Sequence, residues 1–328
     1  MSDTPIARLG RLPTLARVLV VAQIAIAVTG GIVRLTSSGL GCPTWPDCST
    51  GRLTPGPAAG QGWHQCIEFG NRTLAIAVGL LAAVMTFAAL RRSSPTPTPS
   101  PPSQRRPVVA WALIQLLGVP AEAALGGATV LSGLNPLLVA AHLLLSMLLI
   151  AAAVVLLDRC QHPVATLHRV DGAHIARVPP TALARWINAL SGLTAAVVII
   201  GTLTVGAGPH SGAPGARRLP LNLTAVTGLH AALGITLLGT AALVWTTTRA
   251  WQQHPPELRR RSGQLLAVAS GQVILGHTQY LTGLPAALIT IHILGAALLV
   301  IALTRLRIAA QGDHAATDAA HPSLVTTA

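Results

Sequence analysis

The sequence predicts an all-α integral membrane protein: eight transmembrane helices arranged as two tandem four-helix bundles. Three observations predict it. Of 328 residues, 51% are hydrophobic and 9% charged, with a mean hydropathy of +0.60, whereas soluble domains carry about a quarter charged residues. Eight apolar runs are long enough for the roughly 20 helical residues that a bilayer core demands. The last four runs echo the first four: LGGATVLSGLN (Leu125–Asn135) aligns with LGHTQYLTGLP (Leu275–Pro285) at an offset of 150.

The runs fall near 14–35, 65–90, 108–131, 136–157, 185–207, 222–247, 262–283 and 285–305. The seventh is the least apolar, because Gln264, Gln272, His277 and Gln279 interrupt it. Without it the last helix would be inverted and Arg305 and Arg307 would face outward, so it is retained. The basic N-terminus before the first run resembles a signal peptide, but no small-x-small cleavage site follows before GGIVRL, so an uncleaved first span is expected.

Orientation follows from arginine, because the chain contains no lysine. With the N-terminus inside, seventeen arginines lie on the cytoplasmic side and five (Arg34, Arg52, Arg72, Arg217, Arg218) outside; positive charge stays inside. Both termini are therefore expected in the cytoplasm of a bacterial cell, in its plasma membrane. The +13 balance sits in short clusters between apolar runs, which excludes nucleic acid as a partner and leaves the lipid bilayer as the surroundings. An N-terminal bundle is expected over 1–92 and 108–157, and a C-terminal bundle over 185–307. Residues 93–107 (SSPTPTPSPPSQRRP) read as an extended Pro/Ser/Thr linker. A second cytoplasmic linker covers 158–184, and a tail without structure covers 308–328. With four spans per half, the halves share one orientation and a pseudo-two-fold axis runs along the membrane normal.

Ligating side chains inside spans are functional by default. His230 and His292 lie about eight and seven residues into helices descending from outside, roughly 12 and 10 Å deep at the α-helical rise. Two histidines at one depth in a four-helix bundle suit bis-imidazole haem ligation; singly, each could merely bond a neighbouring helix. Small residues (Gly228, Ala231, Ala232, Gly234, Gly295, Ala296, Ala297) leave room for a flat macrocycle. His142 is the repeat counterpart of His292, and Glu122 that of Gln272. The counterpart of His230 falls on Asn71, a poor ligand for haem iron. His64, Glu68 and Asn71 share one helix face. The first half thus has an incomplete ligand set, which suits a substrate, and the second a full one, which suits electron transfer or structure. His277 reads as a supporting or structural residue, and the loop histidines as solvated.

Cys42 and Cys48 lie outside, where disulfides persist; a structural staple and a redox-active dithiol are both open. Arg34 and Arg72 end the first two spans. Their guanidiniums suit porphyrin propionates or, equally, lipid headgroups.

GGIVRLTSSGLGCPTWPDC after the first span, EFGNR opening the second, LGGATVLSGLNP and the histidines His142, His230 and His292 together resemble the haem A synthase family of cytochrome oxidase assembly. The resemblance covers essentially all spans. It implies oxidation of the C8 methyl of haem O to a formyl group, an oxidoreductase reaction, with haem b as cofactor. By that resemblance His230 and His292 hold haem b, while His142 and Glu68 belong to the haem O site, Glu68 as the catalytic carboxylate. Asn71, His64, Arg34 and Arg72 complete the expected substrate-haem surroundings, and Cys42 and Cys48 match the family's extracytoplasmic cysteine pair. Expected partners are haem O, haem O synthase, oxidase assembly factors and a second copy of the chain. Many members carry E-x-x-H-R where this chain has E-x-x-N-R, an actinobacterial-like variant. The competing readings are a non-catalytic b-type cytochrome passing electrons from quinol to a partner, and a transporter.

Overall fold

In a computed structural model, the described residues are 12–56, 62–92, 106–162, 180–250 and 255–320. They form eight helices: α1 (Leu12–Leu35), α2 (Gly62–Arg92), α3 (Arg106–Leu131), α4 (Pro136–Gln161), α5 (Pro180–Ala207), α6 (Leu223–Ala250), α7 (Pro256–Leu281) and α8 (Ala286–Ala320). Seven are long and apolar enough to cross a membrane, and the chain is a multi-pass membrane protein. The helix that falls short in apolarity is α7, whose glutamines and arginine-rich first turns dilute it. It is as long as α3 and packs along α6 and α8 as α3 packs along α2 and α4.

Helix α8 departs from expectation by continuing to Ala320, well into the stretch read as a structureless tail. Alanine is the strongest helix former, and Ala309, Ala310, Ala315, Ala316, Ala319 and Ala320 carry the helix on until the neighbourhood of Pro322. The Pro/Ser-rich stretch 93–105, most of the second linker (163–179) and residues 321–328 lie outside the described residues.

Each set of four helices closes into a ring, α1–α2–α3–α4 and α5–α6–α7–α8. The rings meet through α1 against α8, α4 against α5 and α4 against α8. Since α1 corresponds to α5 and α4 to α8, this is the contact set that a two-fold relation generates. The repeat extends to backbone detail. After α3, Gly133 and Leu134 adopt positive φ (65° and 63°), and after α7 so do Gly283 and Leu284 (78° and 61°). In both turns the leucine N–H reaches back five residues, Leu134 to Thr129 O at 2.9 Å and Leu284 to Gln279 O at 2.7 Å. Left-handed φ is costly for a leucine. In the first half Leu134 is buried against the loops after α1 and α5, which meet where Gly39 N–H donates to Gly212 O at 2.9 Å.

Most buried apolar side chains form two clusters, one within α5–α8 and one built from α1–α4 that also takes in Ala297 and Ile301 of α8. On every helix, all fully buried members lie on the far side of a common level from the disulfide loop: Ala27 before Gly30, Val78 after Asn71, Met147 after His142, Leu237 after His230, Ala269 before Gly276, Ala297 and Leu299 after His292. Close packing therefore fills one end of the bundles and stops at the level of the histidines. A separate layer at the other end contains Ser38, Cys42, Cys48, Gln65, Glu68 and Leu134.

Candidate functional site

At the level where the cores end, four side chains occupy matching places, each set against a glycine. A Cβ on Gly201 of α5 would stand 2.9 Å from the His230 ring, and one on Gly276 of α7 would stand 3.4 Å from His292. A Cβ on Gly126 of α3 would lie 3.4 Å from His142 Nε2, and one on Gly30 of α1 would lie 4.0 Å from Asn71 Nδ2. Helix by helix, Asn71 stands where the second half has His230, and His142 where it has His292. At Gly201 a side chain would collide with the ring, whereas at the other three a Cβ would only reach van der Waals contact.

The His230 and His292 rings are 6.2 Å apart, centroid to centroid, and inclined at 73°. Two metal–imidazole bonds of about 2.0–2.1 Å, with roughly 1.1 Å from each ring nitrogen to its centroid, ask for about 6.3 Å. The two imidazoles could hold one metal ion between them. Their Nδ1 atoms are buried without a well-formed hydrogen bond among the described residues, though the Val197 carbonyl approaches His230. Of the small residues expected around them, Gly228 and Gly234 have open space where a Cβ would be. Ala297 instead packs in the core between the halves, and Gly295 makes room for the Gln272 amide.

In the first half Asn71 Oδ1 accepts from Thr29 Oγ1 at 2.7 Å. His142 Nδ1 is paired with the Glu122 carboxylate, whose other oxygen accepts from Ser146 Oγ at 2.8 Å. Nothing in the ordinary reading of spans singled out this pairing. The signal available was a carboxylate in mid-span, at the place where the repeat has Gln272.

Glu68 is 5% exposed. One carboxylate oxygen accepts from Cys42 N–H at 2.7 Å and the other from Arg72 Nη2 at 2.7 Å. Arg72 also donates to the carbonyls of Cys42, Thr44 and Asp47 at 3.0–3.1 Å. Glu68 and Arg72, one turn apart on α2, thereby grip the loop that Cys42 and Cys48 close as a disulfide. Trp45 of that loop covers Gly127 of α3, where a Cβ would come within 2.6 Å of the indole. The loop lies across the mouth of the first ring. In the second half His277 stands at the equivalent of Gly127 and is exposed.

His64 is drawn into the same loop, with Nδ1 hydrogen-bonded to Ser38 Oγ at 2.9 Å. It is seven residues before Asn71, about 10 Å along the helix, and the structure does not bring the two together. Arg34 commits Nε to His210 O (2.7 Å) and Nη2 to Val205 O (3.1 Å), fastening the loop after α5. His210 in turn bonds Leu284 O through Nε2 at 3.1 Å. Loop conformations of this kind have no periodic signature, so His210 and the carbonyl partners of both arginines escape a reading of the sequence.

The sequence matches the COX15-CtaA family of cytochrome oxidase assembly proteins over residues 13–304. The chain belongs to this family. Among curated relatives it is similar to the haem A synthase of Geobacillus kaustophilus (strain HTA426), 30% identical over 118 residues, which is 36% of this chain and 32% of that protein. It is also similar to the haem A synthase of Geobacillus thermodenitrificans, 29% identical over 125 residues, 38% of this chain and 35% of that protein. These matched stretches span about a third of each relative's length. Family membership and the helices agree on a membrane protein of cytochrome oxidase assembly.

Proposed function

We propose that the chain is a haem A synthase, an oxidoreductase that converts the C8 methyl of haem O to a formyl group in the bacterial plasma membrane, with both termini cytoplasmic. The observation that carries this reading is the unequal filling of four equivalent ligand positions, three imidazoles and one carboxamide, in a member of this family.

The second ring, 180–307, is the resident-cofactor half. Its imidazole spacing, with open space beside Gly228 and Gly234, fits a haem b held by His230 and His292. Bound there, haem b supplies reversible one-electron chemistry. The first ring, 12–161, is the substrate half. His142 presents Nε2 beside Gly126, while Asn71 offers no strong ligand, so haem O is held from one side and the other stays open. His64 belongs to the loop and not to the iron. Arg34 and Arg72 have committed hydrogen bonds to backbone carbonyls, and with Arg72 also ion-paired to Glu68 it is the Arg34 charge that is offered to the propionates.

Turning a methyl into an aldehyde takes two successive oxidations at a carbon conjugated with the macrocycle. The chain must hold that edge still and stabilise positive charge as electrons leave. Glu68 is the residue for this: buried, ionically paired and immobilised by Cys42 N–H, it is a preorganised negative charge near the face that carries Asn71. The disulfide loop with Trp45 covers the mouth and limits access of water.

The test uses full-length protein expressed beside a haem O synthase, with extracted haems resolved by liquid chromatography. Wild type should yield haem b together with haem O and haem A; haem b alone would indicate a carrier cytochrome, and none a transporter. Glu68→Gln should keep haem O bound while haem A falls at least 100-fold, the scale of a lost electrostatic stabiliser. Wild-type haem A from that variant would leave Glu68 as a loop clamp.

A further inference from the structure

The first ring contains a carboxylate that the proposed chemistry does not use. Glu122 lies in the interior of α3, two residues after Pro120, and its side chain is 14% exposed. An ionisable group at such a position in a spanning helix is costly and needs a partner. It accepts a hydrogen bond from Ser146 Oγ and is in ion-pair contact, short of a well-formed hydrogen bond, with His142 Nδ1, both on α4. At the matching place in the second ring Gln272 lies against Gly295, and among the described residues no carboxylate is paired with His292 Nδ1.

An ionised carboxylate can only accept, so one set against His142 Nδ1 favours the tautomer with the proton on Nδ1 and the lone pair on Nε2. Nε2 is the atom that stands beside Gly126, toward the ligand level. A histidine whose far nitrogen donates to a carboxylate is fixed in tautomer and ring orientation and is a more basic ligand. An amide such as Gln272 gives no comparable electron donation. The two rings therefore present imidazoles of different strength at equivalent places.

We propose that Glu122 is the positioning residue of the first ring, locking His142 as an Nε2 ligand and making the haem it holds harder to reduce than it would be on an unsupported imidazole. This rests on the reading that His142 holds the substrate haem.

The experiment is a redox titration of full-length protein purified from cells that make haem O, following the two haems separately by their spectra. In Glu122→Gln the first-ring haem should become easier to reduce by about tenfold in its equilibrium constant, 59 mV for one electron, with the second-ring haem unmoved. Haem O retention should fall about 10–100-fold, and Glu122→Asp should recover part of both. The reciprocal variant Gln272→Glu should make the second-ring haem harder to reduce, and it remains informative if Glu122→Gln does not fold. An unchanged first-ring potential in Glu122→Gln, or a second-ring potential unmoved or raised by Gln272→Glu, overturns the inference. Failure of the underlying reading looks different: His142→Ala would then keep both haems with unchanged spectra.

Discussion

In the second ring His230 and His292 face one another across 6.2 Å, each against a glycine, and among the described residues no disulfide-closed loop covers them. In the first ring the same two places hold Asn71 and His142, the histidine has a carboxylate behind it, and a cross-linked loop with Trp45 lies over the mouth. Scaffold geometry is shared down to the paired left-handed turns at Gly133–Leu134 and Gly283–Leu284. The differences with chemical consequence lie at the ligand level and in the layer above it. Duplication has kept the part that sets depth and spacing, and divergence has altered the part that decides whether a bound group is closed off or reachable.

The largest effect expected from breaking this comparison is in the second ring. His230→Ala or His292→Ala should abolish the low-spin haem b signal in reduced-minus-oxidised spectra, while a haem on His142 persists. Retention of that signal in both variants would dissolve the bis-imidazole assignment.

A smaller effect is expected at the loop. Closing a loop with a sequence separation of 6 is worth about 2 kcal/mol in chain entropy. Cys42→Ser with Cys48→Ser should therefore loosen the loop without unfolding the bundles, because Glu68 and Arg72 still grip its backbone. Protease nicking within 36–56 should rise roughly 30-fold, the factor that about 2 kcal/mol implies where cleavage follows the open population, while haem b stays bound. Equal nicking with and without the disulfide would mean that the carboxylate–guanidinium clamp alone holds the loop.

The smallest effect concerns the buried amides that distinguish the two cores. Gln23 Nε2 donates to Gln115 Oε1 at 2.8 Å, and Gln115 Nε2 donates to Leu149 O at 2.9 Å. The repeat counterpart of Gln115 is Leu265, itself buried. Interhelical hydrogen bonds in membranes average about 0.6 kcal/mol and reach about 1.7. Gln115→Leu should lower thermal stability in detergent by that order, and adding Gln23→Leu should restore most of it by removing the orphaned amide. A double variant no better than the single would show that the amides do not act as a pair.

Periodicity and repetition made the scaffold legible. The offset of 150 aligned His142 with His292, and in the structure Asn71 lies near Gly30 of α1 as His230 lies against Gly201 of α5. Helix α7 was legible as the least apolar, since glutamine dilutes a span in any register. What hydrogen-bonds in loops was not legible: Arg34 and Arg72 looked like free cations at helix ends, yet both bind backbone carbonyls, because turn geometry places those carbonyls and no periodic pattern encodes it. Glu122 stood in the sequence only as the repeat counterpart of Gln272, and its contact His142 lies 20 residues away on another helix. Helix α8 ran beyond its apolar segment because alanine sustains a helix whether or not it is in a membrane.

The measurement that tests the unequal rings most directly is carbon monoxide binding to the dithionite-reduced, full-length protein carrying both haems, compared with Asn71→His. A small exogenous ligand can enter only where a coordination position is open. In the wild type, carbon monoxide should perturb the spectrum of one haem and leave the haem on His230 and His292 untouched. In Asn71→His, a second imidazole opposite His142 should make the first-ring haem low-spin and suppress that perturbation. Carbon monoxide binding to neither haem, or undiminished binding in Asn71→His, would contradict an open first ring beside a closed second one.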